Sequence, residues 1–285
     1  MKHFYVIMNP DKEGAKETAD TISQYLLSHG ATCVIGGSNK KEDYPGSHYT
    51  DSAMVPEETD CIITLGGDGT LIQAARDLAG RNIPILGINR GTLGYLTQIS
   101  RTEEIYGALA SLLSGDYTLE ERMMLHGSIT RAGEKIFQDI ALNEIVIIRN
   151  QKLKVLKFKV FVNGEYFNEY RADGLIAATP TGSTAYNLSA GGPILVPDSR
   201  MLVLTPICSH VLGARSIVLS SDDSIRVEMM GQEDIYQEAV FDGDTQMRLC
   251  PGDMVEIGRS EGKTILVKLK HISFLDNLRN KMTGI

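Results

Sequence analysis

The sequence predicts an α/β domain followed by a β-rich domain, on three observations. Apolar strand-like runs alternate with runs of helical period over residues 1–120, the pattern of a parallel sheet flanked by helices. Two-residue alternation replaces that helical period over residues 121–267. A length of 285 residues gives each part enough chain to bury its own core.

The elements follow in order. His3–Met8 is a short apolar run, and Asn9-Pro10-Asp11 after it is helix-start chemistry. Ala15, Ala19, Ile22 and Leu26 recur at helical spacing, and Gly30 stops that helix. Thr32–Ile35 reads as the next strand, and the polar stretch 36–58 reads as loop. Cys61–Leu65 is a β-branched run ending at Gly66, and Leu71, Ala74, Ala75 and Leu78 form one face of a helix behind it. Ile83–Ile88 is a further strand. Ser100 and Glu103 have capping-box spacing ahead of Ile105, Leu109 and Leu112. Beyond residue 120, Leu156, Phe158, Val160 and Val162 alternate with Lys157, Lys159 and Phe161 up to Asn163-Gly164, a strong hairpin signal. Ile225/Val227/Met229 and Ile265/Val267/Leu269 repeat the alternation, and Phe274–Met282 reads as a closing helix.

Composition narrows the partners. Net charge is -8 without a dense Lys/Arg block, which argues against nucleic acid. An acidic protein that binds an anion must do so with local devices: main-chain N–H groups, helix N-termini, a few arginines or a metal ion. Cys33, Cys61, Cys208 and Cys250 are scattered, with no metal-like spacing, and point to a reducing compartment. The N-terminal apolar run is too short for a signal peptide, and no apolar segment approaches a membrane span, so a cytoplasmic location is expected.

The first candidate site is Gly66-Gly67-Asp68-Gly69-Thr70, between a strand and a helix. Three glycines let a ligand approach the backbone, and the helix start supplies free N–H groups, both suited to phosphate. The segment matches neither the Walker loop nor the G-x-G-x-x-G fingerprint. Asp68 beside a phosphate cradle either holds Mg²⁺, takes a proton from an attacking hydroxyl, or caps the helix. Similar loops occur in diacylglycerol and sphingosine kinases and in phosphofructokinases, so the loop points to phosphoryl transfer to an alcohol without choosing that alcohol. A second glycine-rich stretch, Gly87 to Tyr95, follows the next strand, with Arg90 as a phosphate candidate.

The second candidate site lies in the β-rich part. Asn143-Glu144 interrupts the apolar run IALNEIVII. An amide beside a carboxylate suits a ribose diol, and a strand end or bulge is the other explanation. Asp173-Gly174 precedes Leu175–Ala178, then come Thr179 to Thr184, rich in hydroxyls and small side chains, with Tyr186 as an aromatic wall and Gly191-Gly192-Pro193 as a further turn.

Together these segments resemble the NAD kinase family over most of the chain. They run GGDGT, G-x-N-x-G-x-L-G-Y-L, L-N-E, the long D-G-L-I-x-x-T-P-T-G-S-T-A-Y-x-L-S-A-G-G-P, and Pro206, His210 and Arg215 in P-x-x-x-H-x-L-x-x-R. The resemblance implies a Rossmann-like parallel sheet in the N-terminal domain, a β-rich NAD-binding domain, and a C-terminal tail, 268–285, that returns to the first domain. It implies Asp68 as the catalytic base on the adenosine 2′-hydroxyl of NAD. Gly66, Gly67, Gly69 and Thr70 then lie along the phosphates, and Asn143, Glu144, Arg171 and Asp173 hold NAD. Thr184, Ala185, Tyr186, Asn187, Leu188 and Ser189 complete the pocket. It also implies ATP as donor, with polyphosphate as an alternative, a divalent cation such as Mg²⁺ carried on the donor, and a homo-oligomer, dimer or tetramer. Asp244 stands where many bacterial members carry Gln or Glu. A lipid or sugar kinase sharing the GGDGT loop, and a non-catalytic NAD-sensing module, are the rival readings.

Overall fold

A computed structural model of the protein describes residues 1–36, 49–89, 94–99, 101–150, 154–211, 213–231, 237–269 and 273–283. Arg90, Gly91, Thr92 and Ser100 lie outside these. The chain forms two compact units, Met1–Arg122 with Lys263–Ile285, and Met123–Gly262.

In chain order the elements are β1 His3–Met8, α1 Ala15–Ser28, β2 Thr32–Gly36, β3 Cys61–Gly66, α2 Asp68–Asp77, β4 Ile85–Asn89, α3 Thr102–Ser114 and β5 Thr118–Arg131. Then come β6 Glu134–Ala141, β7 Glu144–Arg149, β8 Leu156–Val162, β9 Glu165–Ala172, β10 Gly174–Ala178, the single turn α4 Tyr186–Ser189, β11 Met201–Ile207 and β12 Ile217–Ser220. The last are β13 Ile225–Met230, β14 Gln237–Phe241, β15 Thr245–Leu249, β16 Met254–Lys268 and α5 Phe274–Thr283. The chain passes from one unit to the other inside two long strands, β5 and β16, and not at a linker. Among the described residues no helix is long and apolar enough to cross a membrane.

The first unit is built on parallel strands in the order β2-β1-β3-β4, with Leu266 of β16 beside Ile85 of β4. β3 is buried along its whole length, which explains why CIITL carries no alternation: helices cover both faces of such a sheet. Ile22 and Leu26 of α1 and Leu109 and Leu112 of α3 are fully buried against Val6, Ile63 and Leu65. Two boundaries differ from the sequence expectation. Asn9 does not start α1; its Oδ1 accepts from Asp11 N at 2.9 Å, a local turn, and the helix begins at Ala15 after Gly14 in the left-handed region. α3 begins at Thr102, where Glu104 Oε2 accepts from Arg101 N at 3.4 Å, so Glu104 and not Glu103 reaches back to the helix start.

The second unit is antiparallel throughout its paired strands. One sheet runs β12-β11-β10-β7-β14-β15, and the other contains β9-β8-β13 and the first half of β16. Inward residues of the two sheets, among them Ile145, Ile147, Phe158, Val160, Leu175, Val227 and Phe241, make one core. The hairpin at Asn163-Gly164 forms as its sequence predicts, with φ of 52° and 82° at the two turn residues, as a two-residue hairpin turn requires.

Candidate active site

The Gly66–Thr70 segment leaves the C-terminal end of β3 and opens α2, with Gly67 extended at φ -106° as the residue before the helix. A Cβ on Gly66 would collide with the Thr70 hydroxyl, whereas Cβ atoms on Gly67 or Gly69 would meet nothing within 4 Å. Gly66 is therefore small for packing, and Gly67 and Gly69 leave the backbone bare. Beside this turn, a cavity of about 270 Å³ is lined by residues that include Asn9, Thr50, Thr70 and Gln73. Asn9, Thr50 and Gln73 carry no motif that marks them in the sequence.

Asp68 does not cap α2. Its carboxylate crosses to the turn after β4 and collects four donors there. Oδ2 accepts from Tyr95 N at 2.6 Å, and Oδ1 accepts from Leu96 N at 3.2 Å, Thr97 N at 3.0 Å and Thr97 Oγ1 at 3.1 Å. Gly94 makes room for this: a Cβ there would strike Asp68 Oδ1 and Thr97 Oγ1. The two glycine-rich stretches thus meet, and the carboxylate is fixed by main-chain groups while Oδ2 keeps lone-pair capacity.

In the second unit IALNEIVII is two strands, not one interrupted strand. β6 ends at Ala141 and β7 starts at Glu144, so Asn143-Glu144 sits at a strand end. Asp242 holds that corner, its carboxylate accepting from Leu142 N at 2.7 Å, Asn143 N at 2.8 Å and Glu144 N at 3.0 Å. The 179–184 turn closes on the same corner. Thr179 Oγ1 donates to Leu142 O at 2.6 Å, Thr179 N donates to Asn143 O at 2.8 Å, and a Cβ on Gly182 would run into the Asn143 main chain.

Glu144 is 7% exposed. Burial pushes its carboxyl up to about 8, the nearby Asp242 charge adds to the rise, and a hydrogen bond from Tyr186 N opposes it. Its Oε2 is buried and has no hydrogen-bond partner among the described residues. A buried oxygen left open in this way can accept a hydrogen bond from a ligand group. Asp173 is held by Arg149, whose Nε and Nη2 donate to Oδ1 and Oδ2 at 2.8 and 3.0 Å. The Tyr186 phenol is raised by burial first and then by the charges of Cys208, Asp173 and Glu144, so these groups share one neighbourhood.

The remaining expected residues divide. Tyr186, Leu188 and Ser189 are exposed, and Thr184 and Ala185 half-buried, on the surface of the turn. Asn187 turns inward and is fully buried. Its Nδ2 donates to Ser183 O and Pro193 O, both at 3.0 Å, and its Oδ1 accepts from Thr205 Oγ1 at 2.7 Å, so it braces the turn from beneath. Arg171 lies on the exposed face of β9, where its side chain makes no hydrogen bond or ion pair among the described residues. His210 donates its main-chain N–H to Arg171 O at 2.7 Å, and Asp244 N donates to Phe241 O at 3.0 Å in the β14–β15 turn. The sequence reading did not single out Arg149 or the structural role of Asp242. Among the described residues no group of three or more His, Cys, Asp or Glu is placed to hold a metal.

Comparison with known proteins follows the same division. The family described as ATP-NAD kinase N-terminal domain matches residues 4–117, and that described as ATP-NAD kinase C-terminal domain matches residues 142–269. The chain is 45% identical to the NAD kinase of Lachnospira eligens, with 99% of this chain and 100% of the relative covered. It is 41% identical to that of Agathobacter rectalis, with 99% of each covered. Among solved structures it is similar to an NAD kinase from Archaeoglobus fulgidus in complex with ATP, with a TM-score of 0.76, 26% identity and 100% of both chains covered. Yeast NADH kinase complexed with NADH shares the fold at a TM-score of 0.85 and 24% identity, with 100% of this chain and 88% of that one covered.

Proposed function

The chain belongs to the NAD kinase family, and from that premise we propose that it moves the terminal phosphate of MgATP to the adenosine 2′-hydroxyl of NAD, giving NADP. In the proposed step the 2′-oxygen attacks the terminal phosphorus in line. The new O–P bond forms as the bridging O–P bond breaks, ADP leaves, and the hydroxyl proton passes to Asp68. Oδ2 is the oxygen assigned to this proton, because it accepts only from Tyr95 N whereas Oδ1 already accepts three donors. The bare backbone at Gly67 and Gly69 faces the donor phosphates, and the cavity that shares Thr70 takes part of the donor. The divalent cation travels on the triphosphate, where it neutralises charge that an acidic protein does not.

The observation that carries the acceptor assignment is Glu144. A buried carboxyl that lies near the Tyr186 N–H and whose Oε2 is open is prepared for a hydroxyl donor, and the ribose diol supplies one. Asn143 offers its amide at the same corner. Asp173, steered by Arg149, and the 184–189 turn complete the grip. Arg171, on the exposed face of β9, is assigned to the outer part of the dinucleotide. We place the enzyme in the cytoplasm as a homo-oligomer; its four free cysteines suit a reducing compartment.

The test is the product. The purified protein with NAD, ATP and Mg²⁺ yields a compound accepted by an NADP-specific dehydrogenase, with a single phosphorus resonance for a 2′-monoester. A 3′-phosphate, a phosphate on the nicotinamide ribose, or a mixture overturns the proposed geometry. A parallel arm with polyphosphate in place of ATP decides the donor range.

A further inference from the structure

We infer that the C-terminal segment of the chain sets the position of the Asp68 carboxylate, and that Gln98 is the positioning residue through which it does so. The inference rests on the assignment of Asp68 as the base. All of the contacts involved lie within the first unit.

Asp68 is located by the main chain of Tyr95, Leu96 and Thr97 and not by its own helix, so its position is only as fixed as that turn. The turn has two anchors besides Asp68. Its main chain returns to β4, where Gln98 N donates to Gly87 O at 3.1 Å and Asn89 N donates to Ile99 O at 2.7 Å. The second anchor is the Gln98 side chain. Its Nε2 donates to Val267 O, and its Oε1 accepts from Leu269 N at 3.0 Å. One amide thus bonds the outgoing end of β16 at two points, as a neighbouring strand would. These partners are 169 and 171 residues away in sequence.

The helix after β16 reaches the same turn. Lys281 Nζ lies 5.4 Å from the centroid of the Tyr95 ring, and Phe274 and Asn277 line a small cavity together with Tyr95, Leu96 and Gln98. The Tyr95 main chain donates the shortest of the four bonds to Asp68, to the oxygen assigned to the proton. A displacement of the end of β16 is therefore passed by Gln98, and one of α5 by Tyr95, to the turn that holds the base. Misplacing a reacting group by about 1 Å can lower a rate on the order of 10²-fold, so a contact this close to the base has leverage on turnover.

The test is a double-mutant cycle on the full-length protein, read as kcat and KM for NAD with thermal melts alongside. Asp68→Asn alone checks the assignment on which the inference rests; if it keeps near-full kcat, that assignment fails. Gln98→Ala is expected to lower kcat by roughly ten-fold or more with KM for NAD within about two-fold. In the Asp68→Asn background the same change is expected to alter kcat by less than about two-fold, because there is no carboxylate left to misplace. A residue that only stabilises the unit gives the same loss in both backgrounds, and that result overturns the inference, as does a Gln98→Ala enzyme with kcat within two-fold of the parent. Should Gln98→Ala fail to fold, Lys281→Ala is the second variant. It is expected to lower kcat by about two- to five-fold in the parent and not in Asp68→Asn, and an unchanged parent kcat counts against the inference.

Discussion

Two carboxyl groups in this protein are prepared in opposite ways. Asp68 receives four hydrogen bonds, three of them from main-chain N–H groups, whereas buried Glu144 keeps Oε2 without a partner among the described residues and sits near the negative charge of Asp242. The first arrangement holds a carboxyl in one orientation; the second resists charge and leaves an oxygen open. Proton abstraction asks for the first and recognition of a neutral diol for the second. Under the proposed roles, the environment, and not the residue type, is what separates these two acidic residues.

The largest effect that can break this comparison is expected from Asp68→Asn. Removing the proposed base is expected to lower kcat by about 10²–10⁴-fold while NAD binding stays measurable by calorimetry. A variant with near-parental kcat would show that the donor-rich carboxylate is only a structural tie for residues 95–97. Gly94→Ala follows, since the new Cβ overlaps Asp68 Oδ1 and Thr97 Oγ1. It is expected to lower kcat by up to about 10²-fold with little change in KM for NAD, and a steady-state assay that finds KM moving and kcat constant would reverse that reading.

At the grip the effect is expected in affinity and not in turnover. Asp173→Asn removes the charged group proposed to grip NAD and steered by Arg149, and loss of a charged hydrogen bond to the ligand typically costs about 1.5–3 kcal/mol. NAD affinity is expected to fall by an equivalent factor, roughly 10- to 150-fold, with kcat at saturating NAD changed much less. Unchanged affinity by calorimetry would move the pocket away from the Arg149–Asp173 pair.

These residues also mark what the sequence could and could not disclose. The helix–strand alternation, the Asn163-Gly164 hairpin and the glycine loop were legible because each is set by residues close together in the chain. The link from Asp68 to Tyr95, Leu96 and Thr97 spans 27–29 residues, and Asp242 reaches Leu142, Asn143 and Glu144 across 98–100. No periodicity announces such pairings, so Asp242 and Arg149 passed as ordinary charges. Asn187 shows the reverse case: its place in a ligand-like motif suggested a contact residue, while its three hydrogen bonds to Ser183, Pro193 and Thr205 make it a brace. The crossings between units were hidden because β5 and β16 are long strands running straight through them.

The smallest effect is the most specific to Glu144, and it concerns stability and not turnover. In the folded chain its carboxyl is raised from 4.5 to about 8, while in the unfolded chain it ionises near its ordinary value. The native state therefore binds this proton more tightly than the unfolded state. The stabilising contribution is fully present below about pH 4.5 and is lost progressively as pH rises through 8. Within that window each pH unit lowers stability by up to about 1.4 kcal/mol from this group alone. Gln resembles the protonated acid in shape, carries no charge to bury, and keeps an oxygen for the Tyr186 N–H. Glu144→Gln is thus expected to match the parent near pH 5 and to exceed it by several degrees in Tm at pH 8, even as its affinity for NAD falls. Thermal melts at pH 5, 6, 7 and 8 check this directly. A Tm difference that stays flat, or that favours the parent as pH rises, would show that Glu144 is already ionised in the free enzyme, and the contrast with Asp68 would disappear.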